Sequence, residues 1–224
     1  MRILFTAAEQ EELDCAIRSW SYAKEGLEAE FHLTGIGSAQ ACHRVTGEIL
    51  RGIIAGKPYS LVINIGIAGS YDLKEFPIGS AAIISKEHFG DLGFETSDGF
   101  KDLFQYGILG KNDFPYNEGA LERPAMPTEN LEKILSGFKE GIGVTVQTVT
   151  GDPVKVKALC ERYTPHIESM EGAAVYYSAL LENVPVFELR SVSNAVGERD
   201  KSKWDIPAAL HTLEMCCRKF VEQL

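Results

Sequence analysis

The stretch that decides the fold is residues 168–174, Glu-Ser-Met-Glu-Gly-Ala-Ala, followed by residues 190–194, Arg-Ser-Val-Ser-Asn. The first predicts a strand end that meets a helix start, with the Glu171 carboxylate at the join. The second predicts another strand end, which delivers Asn194 to a loop. An acid at a helix start usually complements the helix dipole, and an Asn after a strand is usually a turn residue. In a ligand site, Glu171 can instead accept from two vicinal hydroxyls, and the Asn194 amide can donate and accept at once.

Apolar runs alternate with helix-like segments along the rest of the chain, as in the apolar residues 61–65 before Gly66. Nearly continuous apolar runs are typical of strands covered on both faces, and the alternation predicts an α/β layer fold. We therefore expect one domain over residues 1–224, with a central, mostly parallel mixed sheet flanked by helices. Ligands of such sheets bind beyond the carboxyl ends of the strands.

Local start and stop signals predict the elements. Thr6 and Glu9 match a capping box, so Thr6 is expected to cap the first helix. Gly66 is expected to break its strand, and Pro153 to open a helix after Asp152. The predicted helices span about residues 7–24, 38–55, 127–139, 173–181 and 206–223, and another begins at residue 153. Ser38 is expected to cap the second helix. Further strands are predicted at residues 28–34, 81–85, 144–149 and 186–192. Residues 86–126 predict a long excursion or a flap.

Composition restricts the function. No window of eighteen apolar residues predicts a membrane span, and the N-terminal apolar run is too short for a secretory signal. The net charge of −10 argues against a nucleic-acid partner, which would require a basic face. The five cysteines include no Cys-x-x-Cys, and their spacing suits no zinc site. We expect buried thiols in a reducing cytoplasm and no metal.

Two stretches near the predicted strand ends could carry chemistry. Glu9, Glu11 and Glu12 either complement a helix dipole or include a general base. Their crowding disfavours a bound phosphate dianion, so the nucleophile is expected to be water. Residues 66–69, Gly-Ile-Ala-Gly, match neither a dinucleotide fingerprint nor a phosphate loop. They form either a glycine turn or a backbone surface that a sugar approaches closely.

The loop of residues 198–205 carries mixed charges and an aromatic ring. Such loops are usually solvated. Arg199 and Trp204 could instead clamp an acid and a ring.

Together these stretches resemble the nucleoside phosphorylase and nucleosidase superfamily over nearly the whole chain, which implies a phosphorylase/hydrolase-like fold. The motifs, in order, are residues 8–12, 35–37, 66–69, 169–174 and 190–194. The early Glu-rich turn is similar to that of methylthioadenosine/S-adenosylhomocysteine nucleosidases. No metal or organic cofactor is implied. The superfamily implies a homodimer or higher homo-oligomer that can lend an aromatic to a neighbouring site; the candidates are Phe89, Phe94, Phe100 and Phe104.

The resemblance also implies roles for individual residues. Glu12 would activate water, and Met170 and Glu171 would hold the ribose, with Glu171 on its hydroxyls. Thr148, Val149 and Thr150 would lie near the base. Residues Ile67, Ala68 and Gly69 would face the sugar.

Two departures indicate the substrate. Asn194 stands where the adenine-releasing enzymes carry Asp, and its NH₂ group donates well to a 6-oxopurine. Ile67 stands where relatives tend to be polar, which weakens a phosphate site. With Trp204 and Arg199 beyond Asn194, the pattern resembles the futalosine hydrolase subfamily of the alternative menaquinone route. The implied reaction is futalosine plus water giving hypoxanthine and dehypoxanthinylfutalosine, with Glu12 and Asn194 as catalytic residues.

Several alternatives stay open. Futalosine ends in a benzoate, for which Arg199 is the candidate cation, with Lys86 and Lys101 as competitors. The chain could also be an adenine-releasing nucleosidase, a purine nucleoside phosphorylase or a catalytically silent nucleoside-binding module. In each case the partner is a small-molecule nucleoside, without a membrane or a nucleic acid.

Overall fold

Eight strands form one mixed sheet in the computed structural model, which describes residues 1–224. The ten strands of the chain, β1 to β10, are Arg2–Ala7, Glu28–Leu33, Leu61–Ser70, Ala81–Phe89, Gly93–Thr96, Gly99–Asp102, Leu121–Glu122, Glu140–Thr145, Ile167–Ser169 and Val186–Ala195. The six α-helices, α1 to α6, are Gln10–Trp20, Ser38–Ile54, Glu129–Leu135, Pro153–Tyr163, Gly172–Leu181 and Ile206–Gln223. A 3₁₀ turn covers Lys201–Lys203.

The large sheet closes on itself around β3. Strand β3 pairs with β10 and β9, and the circuit between them runs through β4 and β8. Strands β1 and β2 extend the sheet from β3, and β7 adds to β4, while β5 and β6 form a separate hairpin. Most pairs are parallel; β10–β4, β3–β9 and β4–β7 are antiparallel. The predicted mostly parallel mixed sheet flanked by helices is confirmed, and the assignment of the whole chain to one domain stays a prediction.

Two apolar clusters hold the helices against the sheet. In the first, Leu13 of α1 and Leu213 of α6 pack with β-strand residues such as Phe187. In the second, Val45 of α2 and Tyr176 of α5 pack against the sheet. Full burial of a large apolar side chain contributes about 1.5–3 kcal/mol, so both faces of the sheet are firmly covered. None of the helices combines the length and apolar character needed to cross a membrane.

Some predicted boundaries are confirmed. Helix α6 spans the predicted residues 206–223. Helix α4 begins with Pro153, and the Asp152 side chain accepts a hydrogen bond from the Val154 N–H. Thr128 caps α3 in the same way.

The predicted break at Gly66 is wrong, because β3 continues to Ser70. Glycine in a strand often marks a close approach by another group, and Gly66 lies directly against the Arg190 guanidinium. Likewise β10 continues past residue 192 to Ala195, with a register shift between Val192 and Asn194. Asn194 is therefore a strand residue next to a bulge, and bulges redirect side chains.

The predicted caps of α1 and α2 are wrong by one to three residues. Glu9, not Thr6, is the N-cap of α1, because the Glu12 carboxylate accepts a hydrogen bond from the Glu9 N–H at 3.0 Å. Gly37, with φ of 91°, is the N-cap of α2, and Ser38 is the first helical residue.

Other boundaries move by several residues. Strand β8 ends at Thr145 instead of residue 149, which leaves residues 146–149 beyond the strand end. Residues 86–126 complete β4 and then form the β5–β6 hairpin and β7.

Candidate active site

The carboxyl ends of β1, β3, β9 and β10 surround a cavity of about 300 Å³. All the site residues predicted from the sequence line it except Thr148. They are Glu12, Ile67, Ala68, Gly69, Val149, Met170, Glu171, Asn194, Arg199 and Trp204. Thr148 lines a neighbouring cavity of about 320 Å³, and Thr150 lines both.

Glu12 is buried in the first turn of α1, whereas Glu9 and Glu11 are exposed. Its two carboxyl oxygens accept hydrogen bonds from the backbone N–H groups of Glu9, at 3.0 Å, and Ile67, at 2.9 Å. Burial raises the pKa of Glu12, while the Arg190 guanidinium and these hydrogen bonds oppose the rise. A carboxylate with a raised pKa is a better proton acceptor near neutral pH, and only one of the three early acids has this environment.

Glu171 is buried between two elements. It is the N-cap of α5, and its Oε1 accepts a hydrogen bond of 2.9 Å from the Gly37 N–H at the start of α2. Its Oε2 lies 3.6 Å from Nη2 of Arg190. The carboxylate is thus fixed in direction while its edge faces the cavity.

Arg190 is the buried cation that links the site carboxylates. Its Nε donates to Glu188, its Nη1 donates to the Ile67 carbonyl at 3.4 Å, and its Nη2 has no hydrogen-bond partner. Burial alone would lower the pKa of Arg190, but Glu188, Glu171 and Glu12 outweigh it and the pKa is raised. Arg190 is therefore always charged, and a buried guanidinium of this kind requires paired carboxylates.

Asn194 is buried at the far end of the cavity. Its Oδ1 is 2.7 Å from the Ser193 hydroxyl, and its Nδ2 donates to the Ala195 carbonyl at 2.9 Å. Gly69 lies beside it, and a Cβ at Gly69 would be 3.5 Å from the Asn194 Nδ2 and 2.9 Å from Cγ2 of Val196. One hydrogen of the amide NH₂ group remains for a ligand.

Arg199 and Trp204 lie at the mouth of the cavity. The guanidinium carbon of Arg199 is 5.1 Å from the centroid of the Trp204 ring, and Arg199 is exposed and has no carboxylate in ion-pair contact. Lys86 pairs with Glu122 at 2.6 Å, and Lys101 lies in the β5–β6 hairpin. Neither lysine lines the cavity, so Arg199 is the accessible cation of this site.

The aromatic residues of the middle segment lie elsewhere in their own chain. Phe89 and Phe104 line a small pocket of about 10 Å³. Phe94 stacks on Tyr106, and Phe100 lies under the Arg162 guanidinium.

One cluster outside the cavity has the spacing of metal ligands. Ligand atoms of Glu30, His32 and Glu48 lie within 4.8 Å of one another. Ion pairs with Arg2 and Arg51 already engage these two carboxylates, so the cluster is explained by its internal charge pairing.

With this geometry, comparison with known proteins is informative. A family model for the phosphorylase superfamily matches residues 32–224. A futalosine hydrolase of Streptomyces coelicolor is 35% identical over 180 residues, which cover 80% of this chain and 72% of that protein. The chain belongs to the futalosine hydrolase family of the phosphorylase superfamily.

Two solved nucleosidase structures share the fold. The 5′-methylthioadenosine/S-adenosylhomocysteine nucleosidase of Helicobacter pylori superposes with a TM-score of 0.80 at 19% identity, covering 100% of this chain and 99% of that one. The native futalosine hydrolase of Helicobacter pylori gives 0.79 at 19% identity, covering 100% and 98%. These likenesses concern the fold, and the two scores do not separate one kind of nucleosidase from the other.

Several residues of the cavity had no role predicted from the sequence, among them Glu168, Arg190 and Ser193. Glu168 and Arg190 stand inside the motifs that decide the fold, but each is two or more positions from the residues singled out. Only the register of β9, β3 and β10 brings them to one cavity. Charged residues in a buried strand, as Glu188 and Arg190 are in β10, are the signal that could have found one of them.

Proposed function

We propose that this protein hydrolyses the N-glycosidic bond of futalosine and releases hypoxanthine and dehypoxanthinylfutalosine, as a step of the alternative menaquinone route. One observation carries the proposal. In a chain of the futalosine hydrolase family, Glu12, Glu171 and Asn194 line a single cavity, with an amide facing the ligand space where an acid would favour adenine.

Glu12 is the residue proposed to activate water. The bond between the ribose C1′ and the purine nitrogen breaks, and its electron pair goes to the purine. The water oxygen bonds to C1′ while a water proton passes to Glu12. The purine takes a proton from solvent, and Glu12 later returns its own to solvent. The two backbone N–H donors at Glu9 and Ile67 hold the carboxylate in one orientation throughout.

Glu171 is proposed to bind the ribose hydroxyls, with Met170 beside it. The departing sugar is cation-like, and the carboxylates of Glu12 and Glu171 supply negative charge on its side of the cavity. The Gly37 N–H fixes one oxygen of Glu171, which leaves the other to accept from hydroxyl groups.

Asn194 is proposed to hold the departing purine. A neutral amide is not a strong acid, so it assists by donating a hydrogen bond to N7 or to the 6-oxo group. Val149 and Thr150 line the same cavity.

Arg199 is proposed to bind the benzoate of futalosine, with Trp204 stacked against the aromatic part. The support is that Arg199 is exposed, lines the cavity mouth and is free of ion pairs, whereas Arg190 is enclosed by carboxylates.

The protein is also proposed to work as a homodimer or higher homo-oligomer in a reducing cytoplasm. The support for assembly is the exposed apolar side of α2, where Ile53 is 47% and Ile54 85% exposed. The support for the compartment is that all five cysteines are free thiols. Light scattering on the purified protein tests the first, and a monomer at micromolar concentration would contradict it.

One assay tests the function. The protein is incubated without phosphate with futalosine, inosine or methylthioadenosine, and the released base is identified by chromatography. We expect hypoxanthine from futalosine. Adenine from methylthioadenosine alone would identify an adenine-releasing nucleosidase, a requirement for phosphate would identify a phosphorylase, and tight binding without base release would identify a binding module.

A further inference from the structure

Glu168 is a buried carboxylate of the cavity that the roles above leave unassigned. It is 5% exposed and lines the same cavity as Asn194. Its Oε1 accepts a hydrogen bond of 2.9 Å from the Thr150 N–H, and its Oε2 accepts one of 2.6 Å from the Tyr71 hydroxyl. An ionised carboxylate offers about four acceptor sites, so two remain after these contacts.

The strand register places Glu168 and Asn194 on either side of one glycine. Gly69 of β3 pairs with Glu168 of β9 on one side and with Asn194 of β10 on the other. Neighbouring strands lie about 4.8 Å apart, so the two α-carbons are separated by roughly 10 Å across Gly69. Val196 packs against Gly69, where a Cβ would meet its Cγ2 at 2.9 Å, and all four residues line one cavity. A flat ring in this cavity can turn one edge towards Glu168 and another towards Asn194.

Asn194 contacts only one edge of the base. The Ser193 hydroxyl engages its Oδ1 and the Ala195 carbonyl accepts one hydrogen of its Nδ2, so the amide donates its other hydrogen to N7 or to the 6-oxo group. Hypoxanthine and adenine differ at a second position: N1 of hypoxanthine carries a hydrogen, and N1 of adenine carries a lone pair. An ionised carboxylate can only accept, so it binds the first and repels the second.

On the basis of the proposed function, we propose that Glu168 accepts a hydrogen bond from N1–H of the 6-oxopurine, while Asn194 holds the N7 and O6 edge, and that Glu168 thereby sets the specificity for the base. The hydrogen bonds from Thr150 and Tyr71 fix the carboxylate before the base binds. A hydrogen bond to a charged group that is lost or made repulsive changes binding by about 10- to 100-fold.

A structural role for Glu168 gives a different expectation. If Glu168 only anchored the loop at Thr150, its replacement would disturb both kinds of substrate alike. The decisive quantity is therefore the ratio of kcat/KM for a 6-oxopurine nucleoside to that for its 6-amino analogue.

The test compares Glu168→Gln with the wild type on futalosine and on the analogue that carries a 6-amino group. The Gln amide can still accept from Thr150, and its NH₂ group can donate to the N1 lone pair of the 6-aminopurine. We expect the ratio to shift by about 10- to 100-fold towards the amino substrate. The matched control Glu25→Gln makes the same change at an exposed carboxylate that does not line the cavity, and the ratio should stay at the wild-type value. Equal losses on both substrates in Glu168→Gln would overturn the proposal.

A second measurement uses the wild type and does not depend on the folding of a variant. Hypoxanthine and 1-methylhypoxanthine, which lacks the N1 hydrogen, are compared as inhibitors of the reaction. We expect the methylated base to inhibit at least about 10-fold more weakly, and equal inhibition overturns the contact.

The two proposals can fail separately. If the wild type does not release base from futalosine, the proposed function fails. Inosine and adenosine are then compared, by kcat/KM if they are cleaved and by binding affinity if they are only bound. The ratio of the two values still decides the role of Glu168.

Discussion

Gly66 offers the sharpest test of how the site is held together. It lies within β3, yet a methyl group at this position would meet Nη1 of Arg190 well inside contact distance, and would lie 3.1 Å from Cζ of Arg190 and 3.0 Å from Oε1 of Glu12. The perturbation is therefore Gly66→Ala, a single added carbon. Arg190 is 1% exposed and bound to Glu188, so any withdrawal of its guanidinium disturbs that ion pair.

The size of the effect follows from these contacts. A carbon needs about 3.5 Å from its neighbours, so the guanidinium must withdraw by roughly 1 Å. Overpacking of this kind costs about 1–3 kcal/mol, and for a chain of 224 residues a loss of about 2 kcal/mol lowers Tm by roughly 4–8 °C. The same displacement moves Glu12, and a misplacement of about 1 Å in a catalytic group can cost about 10²-fold in rate.

The assay measures Tm by thermal denaturation and kcat with futalosine, for Gly66→Ala and for the matched variant Gly47→Ala in α2. A Cβ at Gly47 would have only ordinary contacts, at 3.7 Å from Arg51, and Ala favours a helix over Gly by about 1 kcal/mol. We expect the Gly47 variant to keep wild-type kcat and at least wild-type Tm. A Gly66 variant with unchanged Tm and kcat would refute the packing of Arg190 against β3.

Further predictions concern three residues of the cavity and the buried acid Glu87. Glu12→Gln should lower kcat by at least about 10²- to 10⁴-fold, and near wild-type turnover of futalosine would contradict water activation by Glu12. Asn194→Asp should shift kcat/KM towards 6-aminopurine nucleosides, and an unchanged ratio would remove its role in reading the base. Arg199→Ala should weaken futalosine more than inosine, which lacks the carboxylate; equal losses would count against the benzoate contact. Burial, and then the nearby Glu188, raise the pKa of Glu87 well above its ordinary value. The stability contributed by protonated Glu87 is therefore complete below the unfolded-state pKa of about 4.3. This stability is lost as pH rises through the folded-state pKa of Glu87. In urea titrations at about pH 5 and pH 8, Glu87→Gln should lose less stability with rising pH than the wild type, and equal pH dependence would contradict a protonated Glu87.

Local sequence signals correctly predicted helix starts where a residue acts on its neighbours in the chain. Pro153 after Asp152 opens α4, and Glu171 caps α5 at the predicted join. Glycine was misjudged for a physical reason. At Gly66 the absent side chain makes room for a guanidinium from a strand that lies 124 positions later in the chain, and no local pattern contains that information.

Local patterns did not show which acid enters the site, although the family resemblance implied Glu12. The crowding of Glu9, Glu11 and Glu12 suggested three similar acids, but only Glu12 is buried. The helix begins three residues later than the capping-box pattern predicts, so Glu12 occupies the position that folds back onto the N-cap. All three acids lie close to the strand end in the sequence. The packing of α1 on the sheet therefore decides which of them faces the cavity.

The buried charges also bear on water as the nucleophile. Glu12, Glu171 and Glu188 surround a single cation, Arg190, and the pKa values of Glu12 and Glu188 are raised, first of all by burial. A phosphate dianion brought to this end of the cavity would meet a surplus of carboxylates, and its only nearby cation is already shared among them. Water carries no such penalty and gains an acceptor for its proton. If Glu12 activates water as proposed, this surplus of buried carboxylates favours hydrolysis over phosphorolysis.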